Sequence, residues 1–204
     1  EELVDNALAT AAKLTKTVND LLDISKIEEG KFGYNYENTD NVQFLEDMVN
    51  EVQNFAKQFK VKVYLQKPDD ASITLLIDQQ KLSIVVSNLI DNAIRYNVET
   101  GEVVLSVEKL KDQPYIKISV KDTGVGVPAD QINKLFTRFF RAENVAKFAT
   151  EGSGLGLYIA KNIIKRHGGE MGVESELNRG SVFYFTLPTD PNLIPAKEIF
   201  YGEQ

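Results

Sequence analysis

The chain has 204 residues, 43% of them hydrophobic and 26% charged, with 30 acidic against 23 basic side chains, the balance of a soluble globular protein with one main domain and an appendage. A formal charge of −7 argues against a broad nucleic-acid surface, while the absence of cysteine and a single histidine, His167, exclude disulfides, thiolate zinc sites and His-rich metal clusters. No apolar run reaches the ~20 residues that span a bilayer, and EELVDNALAT lacks the features of a signal peptide, so no membrane segment and a cytoplasmic location are expected for this part of the protein.

From Glu2 to about Lys31, apolar residues recur at Val4, Leu8, Ala11, Leu14, Val18, Leu21 or Leu22 and Ile24. This near-heptad spacing predicts a long helix whose stripe must pack on a partner helix. Gly30 stands where a helix C-terminus wants it, and GKFGYNYENTD reads as a loop or short strand, so a boundary falls after residue 31. NVQFLEDMVNEVQNFAKQF has helical periodicity, VKVYLQ alternates like a strand, and ITLLID is a short apolar strand ending at Asp78. In QQKLSIVVSNLIDNAIRYN, Leu82, Val85, Val86, Leu89, Ala93 and Ile94 form one helix face, while Asn88, Asn92 and Arg95 form a polar stripe at i, i+4 and i+7. EVVLSVEKL and YIKISVKD form an antiparallel hairpin that delivers Asp122 to the glycine loop DTGVGVP. After the short aromatic NKLFTRFF, the second glycine loop EGSGLGL opens a helix that ends at Gly168 and Gly169, and EMGVESE with GSVFYFTLP makes a closing hairpin. Residues 189–204, with two prolines, read as a tail or linker. The order predicts an α+β fold, a two-layer sandwich with helices on one face of a mixed, mainly antiparallel sheet.

Two asparagines one turn apart beside an arginine need a reason, because asparagine is a poor helix former. Their amide oxygens suit Mg²⁺, which keeps waters and takes one or two protein oxygens plus substrate phosphates, and Arg95 stands one turn on. Asp122, at a strand end before Thr123 and Gly124, is placed to accept a hydrogen bond from an exocyclic amine. Gly152, Gly154 and Gly156 precede a helix start, where free N–H groups favour anions. Neither loop fits the P-loop or the dinucleotide fingerprint.

These residues carry a resemblance to the bacterial sensor histidine kinases and their GHKL-type ATP-binding domain. SNLIDNAIRYN resembles the N box, DTGVGVP the first glycine box, LFTRFFRAE the phenylalanine box and EGSGLGLYIAKNIIKRHGG the second glycine box; the likeness covers about residues 12 to 188. The resemblance implies ATP and Mg²⁺ as ligands, with Asn92 on the metal, Asn88 assisting, Arg95 and Arg141 on the phosphates, and Arg138 a weaker candidate. It places Tyr96 beside the base or ribose, Asp122 on the adenine amine, Gly124 and Gly126 on the pocket floor, and Ser181 on the base through water. Gly152, Ser153, Gly154, Leu155, Gly156 and Leu157 bind the nucleotide. Phe136, Phe139 and Phe140 look like the hinge of a mobile segment over residues 143–152, with Phe136 also packing in the core.

VNDLLDISKIEEGKF resembles the end of the second helix of the dimerisation and histidine-phosphotransfer bundle. The implied organisation is residues 1–31 from that dimeric four-helix bundle, 32–188 the catalytic domain and 189–204 the tail, with a homodimer and a response-regulator receiver domain as partners and no nucleic acid. His167 matches a helix end outside the bundle, so no phospho-acceptor is expected in this chain. Rival readings are a nucleotide-binding interaction module without catalysis, a serine kinase sharing the ATP domain, and an ATPase of the wider group. The ATPase would place a glutamate base where Asn88 stands, and Asp91 is expected on a different helix face.

Overall fold

The computed structural model describes residues 2–68, 72–146 and 152–195. Its first element is the expected long helix, α1 (Glu2–Glu28). Gly30 closes it at φ +65°, with the Lys31 N–H reaching back to Lys26 O at 2.7 Å. Val4, Leu8, Leu14 and Val18 of the stripe are each more than half exposed, while Ile24 near the C-terminal end is buried against the rest of the molecule. No helix among the described residues is long and apolar enough to cross a membrane.

Strands β1 (Glu37–Asp40) and β3 (Thr74–Ile77) pair antiparallel as a separate ribbon, so the ITLLID strand leaves the main sheet. Between them the helical stretch breaks at Val52 into α2 (Asn41–Glu51) and α3 (Gln53–Gln58), followed by β2 (Lys62–Gln66). β2 lies parallel to β4 (Glu102–Lys109). Beyond β4, strands β5 (Tyr115–Asp122), β7 (Gly180–Pro188) and β6 (Met171–Glu176) follow antiparallel, giving the order β2-β4-β5-β7-β6. Helices α4 (Gln79–Arg95) and α6 (Gly156–Arg166) pack on each other and on one face of this sheet, which is the expected two-layer α+β sandwich.

Sequence explains the packing. All six apolar positions expected on α4 are buried, with Ile90 beside them, and they meet Ile159, Ala160, Ile163 and Ile164 of α6 and the inward residues of β4, β5 and β7; full burial of each larger side chain contributes about 1.5–3 kcal/mol over exposure. α4 is capped by Asp78, whose Oδ1 accepts the Lys81 N–H at 2.9 Å and whose Oδ2 accepts the Asn35 N–H at 2.7 Å. The register sets Asp122 opposite Ser181, and Ser181 opposite Ser175. One polar row therefore crosses three strands.

His167 is fully buried at the end of α6, edge-on to Tyr34 and Tyr36. Asp78 N–H donates to its Nε2 at 3.0 Å, so Nδ1 carries the proton and donates to Ile163 O at 2.8 Å. Burial pushes the imidazole below its ordinary value of 6.5, against the raising effects of the Ile163 carbonyl and Asp78. Its contribution to stability is present above about pH 6.5 and is lost as pH falls through the depressed value. His167→Phe should therefore cost about 2 kcal/mol at neutral pH, because Asp78 N–H loses its acceptor. Chemical denaturation across pH should show the gap between the two proteins narrowing toward acid.

Candidate active site

Both glycine loops open on one cavity of about 410 Å³ between α4, α6 and the end of β5. From α4 it receives Asn88, Asn92 and Arg95, with Tyr96 at the helix end; from the first loop Asp122, Val125, Gly126 and Val127; from the second Gly152, Ser153, Gly154, Gly156 and Leu157. Ser181 and Phe183 of β7 form its floor, and Leu135, Phe140, Arg141, Ala142 and Val145 a side wall. Val145 belongs to the short α5 (Glu143–Ala146), which Asn144 ties to the first loop by donating to Gly126 O at 2.8 Å.

At one end stands Asp122. Its Oδ1 accepts the Gly124 N–H at 2.8 Å and the Ser181 N–H at 3.2 Å, leaving Oδ2 without a partner among the described residues. Burial raises this carboxyl from 3.8 to about 6, opposed by the two backbone hydrogen bonds. A buried carboxylate oxygen beside the apolar Val125, Val127 and Phe183 fits a flat heterocycle that presents an N–H.

At the other end α6 begins at Gly156 with no side-chain cap, since Leu155 occupies the cap position. Its first N–H groups and the positive end of its dipole face the second loop, an anion-binding geometry. Gly154 makes the loop possible: at φ +71° an added Cβ would stand 2.7 Å from the Phe139 carbonyl carbon. Asn88 Nδ2 donates to Gly156 O at 3.3 Å, and its Oδ1 lies against Gly156, where an added Cβ would stand 2.9 Å from it. The Asn92 side-chain amide has no hydrogen-bond partner among the described residues, its backbone carbonyl accepting the Tyr96 N–H at 3.0 Å. No group of three or more His, Cys, Asp or Glu forms a preformed metal cage among the described residues. Neutral amide oxygens of this kind fit a hard divalent ion that arrives on a polyphosphate and keeps waters.

Three expected residues do not line the cavity. Gly124 lies behind it, where an added Cβ would meet Tyr96 O at 2.3 Å. Leu155 is buried in the core, and Phe136 packs on the core under the Lys161 ammonium, 5.3 Å from its ring centroid. Phe139 is 64% exposed, leaving Phe140 as the aromatic of that trio on the cavity wall. Arg138 points elsewhere, pairing with Glu28, donating to Tyr158 Oη at 2.9 Å and stacking on that ring. Arg95 lines the cavity with its Nε held by Asp91 Oδ1 and Oδ2 at 2.9 and 3.0 Å and its guanidinium over Phe55. Asp91 thus corrects the sequence reading: it lines the cavity beside Asn92 rather than facing away, as a carboxylate already paired.

Lys16, Thr17 and Asp20 of α1 also line the cavity and were not expected there. Ser153 Oγ donates to Asp20 Oδ2 at 2.9 Å, tying α1 to the second glycine loop. Burial raises the Asp20 carboxyl above 3.8, and the Ser153 bond and Lys16 oppose the rise. Of the segment expected to be mobile, residues 147–151 lie outside the described residues, as do 196–204 of the tail.

The family model described as histidine kinase-, DNA gyrase B-, and HSP90-like ATPase matches residues 77–191. The sensor histidine kinase WalK of Bacillus subtilis is 33% identical over 176 residues, which is 86% of this chain and 28% of WalK. Full-length ShkA in complex with AMPPNP superposes with TM-score 0.76 and 26% identity, covering 92% of this chain and 38% of that one. Histidine kinase ThkA in complex with response regulator TrrA superposes at 0.75 with 21% identity over 94% and 52%, a likeness of fold. This chain spans a little over a quarter of the length of WalK.

Proposed function

The chain belongs to the family of histidine kinase-, DNA gyrase B-, and HSP90-like ATPases, and from that premise we propose that it is the ATP-binding catalytic part of a sensor histidine kinase. It passes the γ-phosphoryl of ATP to a histidine on a dimerisation bundle, for relay to a response-regulator aspartate. One observation carries the reading: both glycine loops open on a single cavity with a buried carboxylate at one end and an uncapped helix N-terminus at the other. The nucleotide analogue on ShkA and the regulator on ThkA support the choice of ligand and partner.

In this reading Asp122 Oδ2 takes the adenine amine, Tyr96 and Val127 flank the ring, and Ser181 supports the base. Asn92 holds Mg²⁺ with Asn88 beside it, and the bound ion supplies charge neutralisation at the phosphates. Arg141 and the N–H groups of α6 add fixed positive charge there; phosphoryl transfer asks a protein chiefly for such alignment and neutralisation. Arg95, clamped to Asp91, holds the end of α4 and places its guanidinium charge on the cavity wall. Because His167 is buried outside the bundle, the acceptor histidine is supplied from outside these residues and the chain does not phosphorylate itself. The exposed stripe of α1 is the face that pairs with a second copy.

Calorimetric titration of AMPPNP with and without Mg²⁺ tests the reading. Saturable binding that tightens with Mg²⁺ is expected; no binding under either condition would overturn it in favour of an interaction module. Asp20 gives a further expected result. Its carboxylate faces the phosphate end from α1, so Asp20→Asn should raise AMPPNP affinity about fivefold, equivalent to ~1 kcal/mol of relieved repulsion. Adenosine affinity should stay level in the same titrations.

A further inference from the structure

Ser175 lies outside the cavity, yet it governs what the cavity floor presents. Its Oγ meets three groups: Val127 N–H at 2.9 Å, Gly180 O at 3.0 Å and Ser181 Oγ at 2.9 Å. A hydroxyl has one hydrogen to give and two lone pairs to receive with. Val127 N–H can only donate, so it takes one lone pair. Gly180 O can only accept, so it takes the hydrogen. The remaining lone pair faces Ser181, which must therefore be the donor across the strand pair.

The consequence falls on Ser181. With its single hydrogen committed to Ser175, its oxygen offers lone pairs alone to the cavity it lines. Asp122 Oδ2 stands on the adjacent strand in the same cross-strand row, and as a carboxylate oxygen it also accepts. We propose that Ser175 is a specificity-determining positioning residue, which locks the Ser181 hydroxyl as an acceptor so that the Asp122–Ser181 wall selects 6-aminopurines over 6-oxopurines. This rests on the nucleotide reading above and deepens it.

The discrimination follows from what is left unpaired. An exocyclic amine gives hydrogen to acceptors on this wall. A 6-oxo group brings only lone pairs against lone pairs, and a site that cannot donate rejects it. Freed from Ser175, the Ser181 hydroxyl can rotate and donate to the oxo group. Val127 N–H loses its acceptor at the same time, so a general loosening of the first glycine loop is expected as well. That loosening weakens all ligands together, whereas the hydroxyl lock changes their ratio.

The experiment compares ADP with inosine diphosphate by calorimetry at about pH 8, where carboxyls are ionised. Wild type should prefer ADP by on the order of a hundredfold, and Ser175→Ala should narrow that preference about tenfold, with inosine diphosphate losing less affinity than ADP or gaining. Ser175→Thr, which keeps the hydroxyl, should restore the ratio. Should Ser175→Ala fail to fold, Ser175→Cys, with its weak donor and acceptor, should show the same narrowing. An unchanged ratio in the folded variant overturns the lock and leaves the nucleotide reading standing. A wild type that binds neither diphosphate overturns both.

Discussion

Asp122→Ala is expected to weaken ADP binding about a hundredfold, since the charged acceptor at the closed end of the cavity is lost with its whole contribution to orientation. Asp122→Asn is the more telling change. Oδ1 receives two backbone N–H groups, from Gly124 and Ser181, and an amide can satisfy both only with its oxygen. Its NH₂ must then point into the cavity, where an acceptor has become a donor. Adenosine should bind far more weakly and inosine should gain. Acidification of the wild type should reproduce part of this. Burial holds the carboxyl at about 6, and an amine donating to it favours the charged form, so adenosine affinity should fall about tenfold between pH 7 and pH 5. Adenosine is the better probe because no phosphate titrates in that window.

The same shift has a sign for folding. Because the folded value is raised above the ordinary 3.8, the stability contribution of this carboxyl is full below that value and is lost as pH rises through about 6. At neutral pH the unliganded protein keeps a charged, desolvated group, and Asp122→Asn should make it more stable while making it a poorer adenine site. Opposite movement of melting temperature and affinity separates a ligand-directed carboxylate from a structural one.

Much of this arrangement is legible in the chain. The period-3.6 stripe of α4 sets its buried face, and the same periodicity throws Asn88, Asn92 and Arg95 onto the face that meets the cavity. Alternation in β5 and β7 brings Asp122 and Ser181 to one side of the sheet, and the glycines announce where backbone must turn or approach. What is illegible depends on contacts between distant segments. Nothing in α1 marks Lys16, Thr17 and Asp20 as cavity residues, because their placement comes from how the helix lies against α6. Asp91 is different, since three residues after Asn88 and four before Arg95 it falls on their helix face by periodicity alone, and there it pairs with Arg95. A short apolar run such as ITLLID does not say which sheet it joins, and only pairing with β1 decides it. Gly124, Leu155 and Phe136 stand within ligand-binding motifs yet serve the backbone and the core behind the cavity.

Asn92→Ala carries the largest expected effect on catalysis. Asn88 is partly committed, its amide nitrogen held by Gly156 O at 3.3 Å, whereas Asn92 keeps its amide for the cavity. Removing it should erase the tightening of AMPPNP by Mg²⁺ and lower phosphoryl transfer to a separately supplied histidine bundle about a thousandfold, as expected when several kcal/mol of charge stabilisation leaves a transition state. Adenosine binding should stay within about twofold, since the base end does not share these groups. Asn88→Ala should cost less in metal response and more in stability, because α4 loses its hydrogen bond to the start of α6. If Asn92→Ala kept the Mg²⁺ effect while Asn88→Ala lost it, the metal would belong to the first turn of the pair. Equal losses of adenosine and AMPPNP in Asn92→Ala would instead make it a structural residue, and charge neutralisation at the phosphate end would fall to Arg141 and the α6 amides.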